Sequence, residues 1–105
     1  MKLSFKRALQ AGYVKPYRNK AYRAYLSGLT CPCGAPACEP HHLIAAGFGG
    51  GMGTKASDVF AFPICRECHD EIHRDVKAWE ELFGSQWEHI CMALHQAVSD
   101  GVLHG

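Results

Sequence analysis

A chain of 105 residues has room for one small domain, and a core of that size leaves a fold marginal without other support. Hydrophobic residues at 48% and charged residues at 20% exclude an intrinsically disordered chain, and no apolar run approaches the roughly 18 residues of a membrane span. The formal net charge of +1 excludes no class of partner, because it averages two unlike parts. Six Cys and seven His supply thirteen side chains able to ligate a soft or borderline metal. No unbroken apolar stretch follows Lys2, Lys6 and Arg7, so no secretory signal is visible and a cytoplasmic location is expected. Cysteines kept reduced there serve as metal ligands or redox groups more often than as disulfides.

Residues 1–29 form a basic arm, predicted as two short helical pieces around Pro16. Lys2, Lys6, Arg7, Lys15, Arg18, Lys20 and Arg23 lie in it with no acidic residue, and Tyr13, Tyr17, Tyr22 and Tyr25 are interleaved. Such an arm suits a polyanion; equally, it suits a solvated helix whose tyrosines pack on the domain. The clearer helix is predicted over residues 20–27, with Tyr22, Tyr25 and Leu26 on one face and Gly28 as its stop. The rest of the chain, residues 31–105, carries four basic and ten acidic side chains.

Residues 30–105 are predicted as the main domain. Three Cys, three Pro and Gly34 between residues 30 and 40 make a tight irregular knuckle. A short strand is expected over residues 41–45. Five glycines in residues 47–53 forbid a packed element and require a loop. Residues 59–64 are the best strand in the sequence, with Pro63 placing it at an edge or an end. The two strands suggest a hairpin. Helices are expected over residues 66–74 and 76–83. Ser85 and Glu88 form a capping box for a last helix whose apolar stripe reads Trp87, Ile90, Cys91, Leu94 and Val98. Cys91 in that stripe is expected to be a buried small hydrophobe.

The densest chemistry is the run from Cys65 through Cys68 and His69 to His73, a C-x2-C followed at once by H-x3-H. On a helix His69 and His73 lie about 6 Å apart in rise on one face, so both imidazoles reach one cation. Cys65 and Cys68 need two further thiolates for a structural tetrahedral zinc site. Cys31 and Cys33 are the favoured pair, and Cys38 is the alternative to either. His41 and His42 add two imidazoles. Adjacent strand residues face opposite ways, so one is expected at a metal and the other beside it as a base. The CxxCH run also matches a haem-attachment signature, but the missing export signal and the extra cysteines argue against that. The glycine loop is no phosphate loop, since its order is Gly-Thr-Lys; its amides and Lys55 can still approach a nucleic-acid backbone.

Taken in order, a cysteine knuckle, a His doublet opening a hairpin, a polar residue before the second strand and C-x2-C-H-x3-H on a helix resemble the HNH, or ββα-metal, nuclease family. Within that family the chain is most similar to the branch of small prophage-encoded nucleases that includes the bacteriophage recombination-enhancement nuclease Ref. The resemblance is strongest from Cys31 to His73 and extends weakly to Tyr22 and Leu103. It implies an α+β fold: a small zinc-stabilised ββα-metal (HNH, or His-Me finger) domain flanked by helices. It also implies that His41, His69 and His73 hold a catalytic divalent ion (magnesium, manganese, nickel or zinc) and that His42 is the general base. The family's middle residue is usually an Asn that orients this base. Its best match here is Asp58, an Asp seated two residues further from Cys65 than the common spacing.

The activity implied by the resemblance is that of a metal-dependent DNA endonuclease of phage or prophage recombination or processing. It would hydrolyse phosphodiester bonds in single- or double-stranded DNA to leave 5′-phosphate and 3′-hydroxyl ends. Lys55, Arg18, Lys20 and Arg23 would contact flanking phosphates, a sequence-independent and salt-sensitive contribution. The resemblance adds a recombinase filament as an implied partner, for which the short basic arm alone gives no argument. The competing reading is a non-catalytic zinc module that binds nucleic acid.

Overall fold

The computed structural model describes residues 4–45 and 56–103; Lys55 and the glycine-rich residues 47–53 lie outside them. Among the described residues the fold is α+β, with one two-stranded sheet and five helices. In chain order these are α1 (Phe5–Ala11), α2 (Lys20–Ser27), β1 (Glu39–His42), β2 (Ala61–Ile64), α3 (Arg66–Arg74), α4 (Val76–Phe83) and α5 (Gln86–Ser99). A single 3-10 turn, Asp58–Phe60, leads into β2. Each helix starts on a side-chain cap: Ser4, Asn19, Cys65, Asp75 and Ser85 each accept a backbone N–H of the first turn. Such caps satisfy donors that would otherwise lack partners and set where each helix begins.

The strands pair antiparallel, with Glu39 opposite Ile64, Pro40 opposite Pro63, His41 opposite Phe62 and His42 opposite Ala61. Leu43 N–H continues the ladder by donating to Phe60 O at 2.8 Å. Bonded and non-bonded pairs alternate in such a ladder, so Pro40 and Pro63 meet where no N–H is required. The core lies around this hairpin. Tyr22 and Leu26 of α2, Phe62 and Ile64 of β2, Ile72 of α3, Trp79 of α4 and Ile90 of α5 are all buried. Phe62 and Trp79 pack with ring centroids 5.8 Å apart. α2, read from sequence as part of the basic arm, therefore lies in the core against β1, whereas Tyr13 and Tyr17 of that arm are exposed.

Three sequence expectations change. β1 is Glu39–His42 rather than residues 41–45, because the backbone of Ile44 takes a different partner. Both its N–H and its C=O bond to the side-chain amide of Gln86, at 3.1 Å each. Residues 58–60 turn instead of extending, with Phe60 N–H donating to Ser57 O and Asp58 N–H donating to Tyr17 O. The third change concerns α5. Its buried positions are Gln86, Ile90, Ala93 and Ala97, while Trp87, Cys91 and Val98 are exposed. Ile90 and half-buried Leu94 of the expected stripe do pack on the core. The buried face turns toward Ala93 and Ala97, whose small side chains let the helix backbone approach the sheet, and Trp87, Cys91 and Val98 sit at its margin.

Replacing Ala97 by Leu should therefore overpack that face and cost about 1–3 kcal/mol. Val98→Ser should stay within about 0.5 kcal/mol of the wild type. Denaturant unfolding of the two variants measures both.

Candidate functional site

Two turns of backbone bring four cysteines together. In the knuckle, Cys31 N–H donates to Ala35 O and Gly34 N–H donates to Cys31 O, both at 2.8 Å. Gly34, at φ +94°, makes the turn with a conformation that L side chains rarely adopt. Across from it, Cys65 caps α3 and Cys68 sits one turn further on. Cys65 Sγ accepts Cys68 N–H at 3.5 Å.

The Sγ atoms of Cys31, Cys33, Cys65 and Cys68 all lie within 4.8 Å of one another, and Cys33 and Cys65 are 3.7 Å apart. A tetrahedron of thiolates at the Zn–S distance has edges of about 3.8 Å, whereas a disulfide is about 2.05 Å long. The donor set thus fits a structural metal such as zinc. Burial pushes the Cys31 thiol up to about 11 and Cys68 up as well, while the Ala35 backbone beside Cys33 lowers that thiol. Metal binding here must displace the protons of the buried pair. Cys38 is exposed and lies outside the group.

A second group begins at the next residue of the same helix. α3 presents His69 and His73 with ring centroids 4.4 Å apart, and His41 of β1 lies 5.7 and 5.6 Å from them. One ligand nitrogen from each of the three falls within 4.8 Å of the others. His41 is 2% exposed. Burial first, and then the neighbouring histidines, hold its pKa down at about 4. Burial also lowers His69, against the opposing pull of Glu39, whose Oε1 lies 3.6 Å from His69 Nδ1. At neutral pH His41 is therefore uncharged and has a lone pair available to a cation.

His42 faces the other way. Its Nε2 lies 2.8 Å from Asp58 Oδ1, and the Asp58 side chain is 1% exposed. Asp58 Oδ2 accepts Asn19 N–H at 2.7 Å and the Arg23 guanidinium, and Arg18 Nη1 lies 3.6 Å from Oδ1. Burial alone would raise the Asp58 pKa; hydrogen bonds from His42, Asn19 and Arg23 outweigh it and hold the carboxyl below its usual range. An ionised carboxylate only accepts, so His42 donates Nε2–H to it.

Among the residues read from sequence as phosphate contacts, Arg18 and Arg23 point part of their charge inward at Asp58. Arg18 also donates to Ala56 O. Lys20 is exposed at the start of α2, and Lys55 lies outside the described residues. Sequence reasoning missed Gln86. The capping box located the start of α5, but no local pattern marks the side chain after the cap as buried. The turn leading into α5 contains Gly84, at φ +95° and ψ 169°, a region essentially confined to glycine.

Residues 9–101 match the model of a family described as a protein of unknown function, DUF968. The chain belongs to this family. The DUF968 chain is also similar to an uncharacterized protein, YdfU, of Escherichia coli strain K12, at 52% identity over 71 residues. That alignment covers 68% of this chain and 20% of YdfU, so the DUF968 chain spans about a fifth of the length of this curated relative. No solved structure matches it.

The cysteine geometry predicts that Cys33→Ser and Cys65→Ser each yield a DUF968 chain with one zinc fewer than the wild type. Cys38→Ser and Cys91→Ser should keep the wild-type zinc content. Elemental analysis of the purified variants distinguishes the two sets.

Proposed function

We propose that the chain is a metal-dependent DNA endonuclease of the HNH, or ββα-metal, type. The observation that carries this reading is the 2.8 Å contact of His42 with buried Asp58, next to three histidines able to hold one cation. The order hairpin then helix, β1, β2 and α3, supports it. So does the separation of His41 and His42 onto opposite faces of one strand. In this reading residues 30–105 are the nuclease domain.

His41, His69 and His73 would hold the divalent ion, whether magnesium, manganese, nickel or zinc; once bound, it supplies Lewis-acid stabilisation of the charge that develops on a phosphate group. His42 Nδ1 takes the proton of the attacking water as that oxygen bonds to phosphorus. Asp58 holds the ring in the tautomer that can do this, and its negative charge stabilises the imidazolium that results. Arg23 and Asn19 N–H fix the carboxylate in turn. The bond from phosphorus to the 3′ oxygen breaks, and that oxygen takes up a proton from solvent, leaving 5′-phosphate and 3′-hydroxyl ends. Three neutral imidazoles leave a cation its full charge, which favours a polyanionic substrate. Lys20 and the exposed parts of Arg18 and Arg23, 44% and 36% of their side chains, would meet flanking phosphates. A role in phage or prophage recombination, with a recombinase filament as partner, rests on the resemblance of the sequence alone.

His42→Ala should slow nicking of plasmid DNA by about 100-fold to 10,000-fold, with circular dichroism and DNA binding unchanged. Cleavage at the wild-type rate by this variant would sink the proposal. If the wild type fails to cut single- or double-stranded DNA with magnesium, manganese, nickel or zinc, the chain is instead a non-catalytic zinc module.

A further inference from the structure

Gln86 is 3% exposed and lies at the first position of α5. Its amide meets three groups. Ile44 N–H donates to Oε1 at 3.1 Å, and Nε2 donates to Ile44 O at 3.1 Å. Since a backbone N–H only donates and a carbonyl only accepts, this two-point clamp leaves no choice about which end of the amide is oxygen. His41 Nε2 lies 3.3 Å from that same Oε1. An amide oxygen offers no proton, so the contact is a hydrogen bond only if His41 Nε2 carries one.

We infer that Gln86 is a positioning residue that holds His41 in its Nε2–H tautomer, leaving Nδ1 as the nitrogen His41 offers to an ion shared with His69 and His73. The part concerning the ion rests on the reading of the histidine cluster given above; the tautomer does not. A ligating histidine is commonly oriented by the group bonded to its other nitrogen. Here that group also ends β1. The bonds that stop the strand at His42 are the bonds that hold the acceptor against His41. Gln86 N–H is itself taken by Glu80 Oε2 at 2.9 Å, which ties the start of α5 to α4.

Long-range proton–nitrogen NMR of the imidazoles in 15N-labelled protein tests this directly. With one equivalent of zinc, His41 should show the Nε2–H pattern, and an Nδ1–H pattern overturns the inference without any mutation. With a second equivalent, the shift of His41 should appear at Nδ1; a shift at Nε2 overturns it. If the second equivalent moves none of His41, His69 and His73, the shared ion and the proposed active site both fail, while the tautomer is still decided by the first spectrum. Gln86→Met removes the acceptor at similar size and should mix the tautomers of His41 and weaken the second zinc by about 10-fold to 100-fold. Gln86→Glu, which still accepts from both N–H groups, should retain the wild-type tautomer. A folded Gln86→Met protein with an unchanged His41 pattern refutes the role of Gln86; should that variant not fold, the wild-type spectra decide.

Discussion

A β-strand turns successive side chains to opposite faces, and in β1 that rule parts two neighbouring histidines into two environments. His41 goes into the interior, where burial keeps it uncharged and places it beside His69 and His73. His42 goes to the side where Asp58 waits as an ionised acceptor. A register slip of one residue would exchange the two and leave both without their partners. The pairing of β1 with β2 is therefore the constraint on which the whole centre depends.

That pairing is short, with four residues a strand, and an isolated hairpin of this kind is marginal in water. Side chains from other elements supply what the ladder lacks. Gln86 completes the backbone bonding of Ile44 where the strand gives out. Asp58 ties the entry of β2 to the first turn of α2 through Asn19 and Arg23. The four cysteines join the knuckle before β1 to the helix after β2, and since Glu39 pairs with Ile64, a bound metal would close the open end of the hairpin. In a chain with a small core, such binding contributes directly to folding.

The charge asymmetry of the chain also takes on a different sense. The basic N-terminal segment is not simply a surface offered to a polyanion. Arg23 and Arg18 direct part of their charge at a buried carboxylate, an arrangement that compensates an ion otherwise costly to bury. Their remaining exposure still faces solvent. One pair of residues thus serves the interior and the surface together.

Much of the fold was legible from local pattern. The bounds of α2, α3 and α4 follow from their caps, breakers and lack of internal interruptions, and the metal-ligand spacing of Cys65, Cys68, His69 and His73 follows from helical period. Spacing left Cys38 open as an alternative to Cys31 or Cys33, and the structure gathers Cys31 and Cys33 with Cys65 and Cys68. What the sequence could not decide was anything requiring a partner distant in the chain. The end of β1 depended on an amide 42 residues away. The turn before β2 depended on Tyr17, Asn19 and Arg23. The face of α5 depended on which side could come closest to the sheet, and small Ala93 and Ala97 carry no hydrophobic signal strong enough to announce it. Local period and ligand chemistry are properties of neighbours along the chain, so the sequence by itself determined them. Burial, tautomer and the pairing of charges are properties of neighbours in space, and only the tertiary structure decided them.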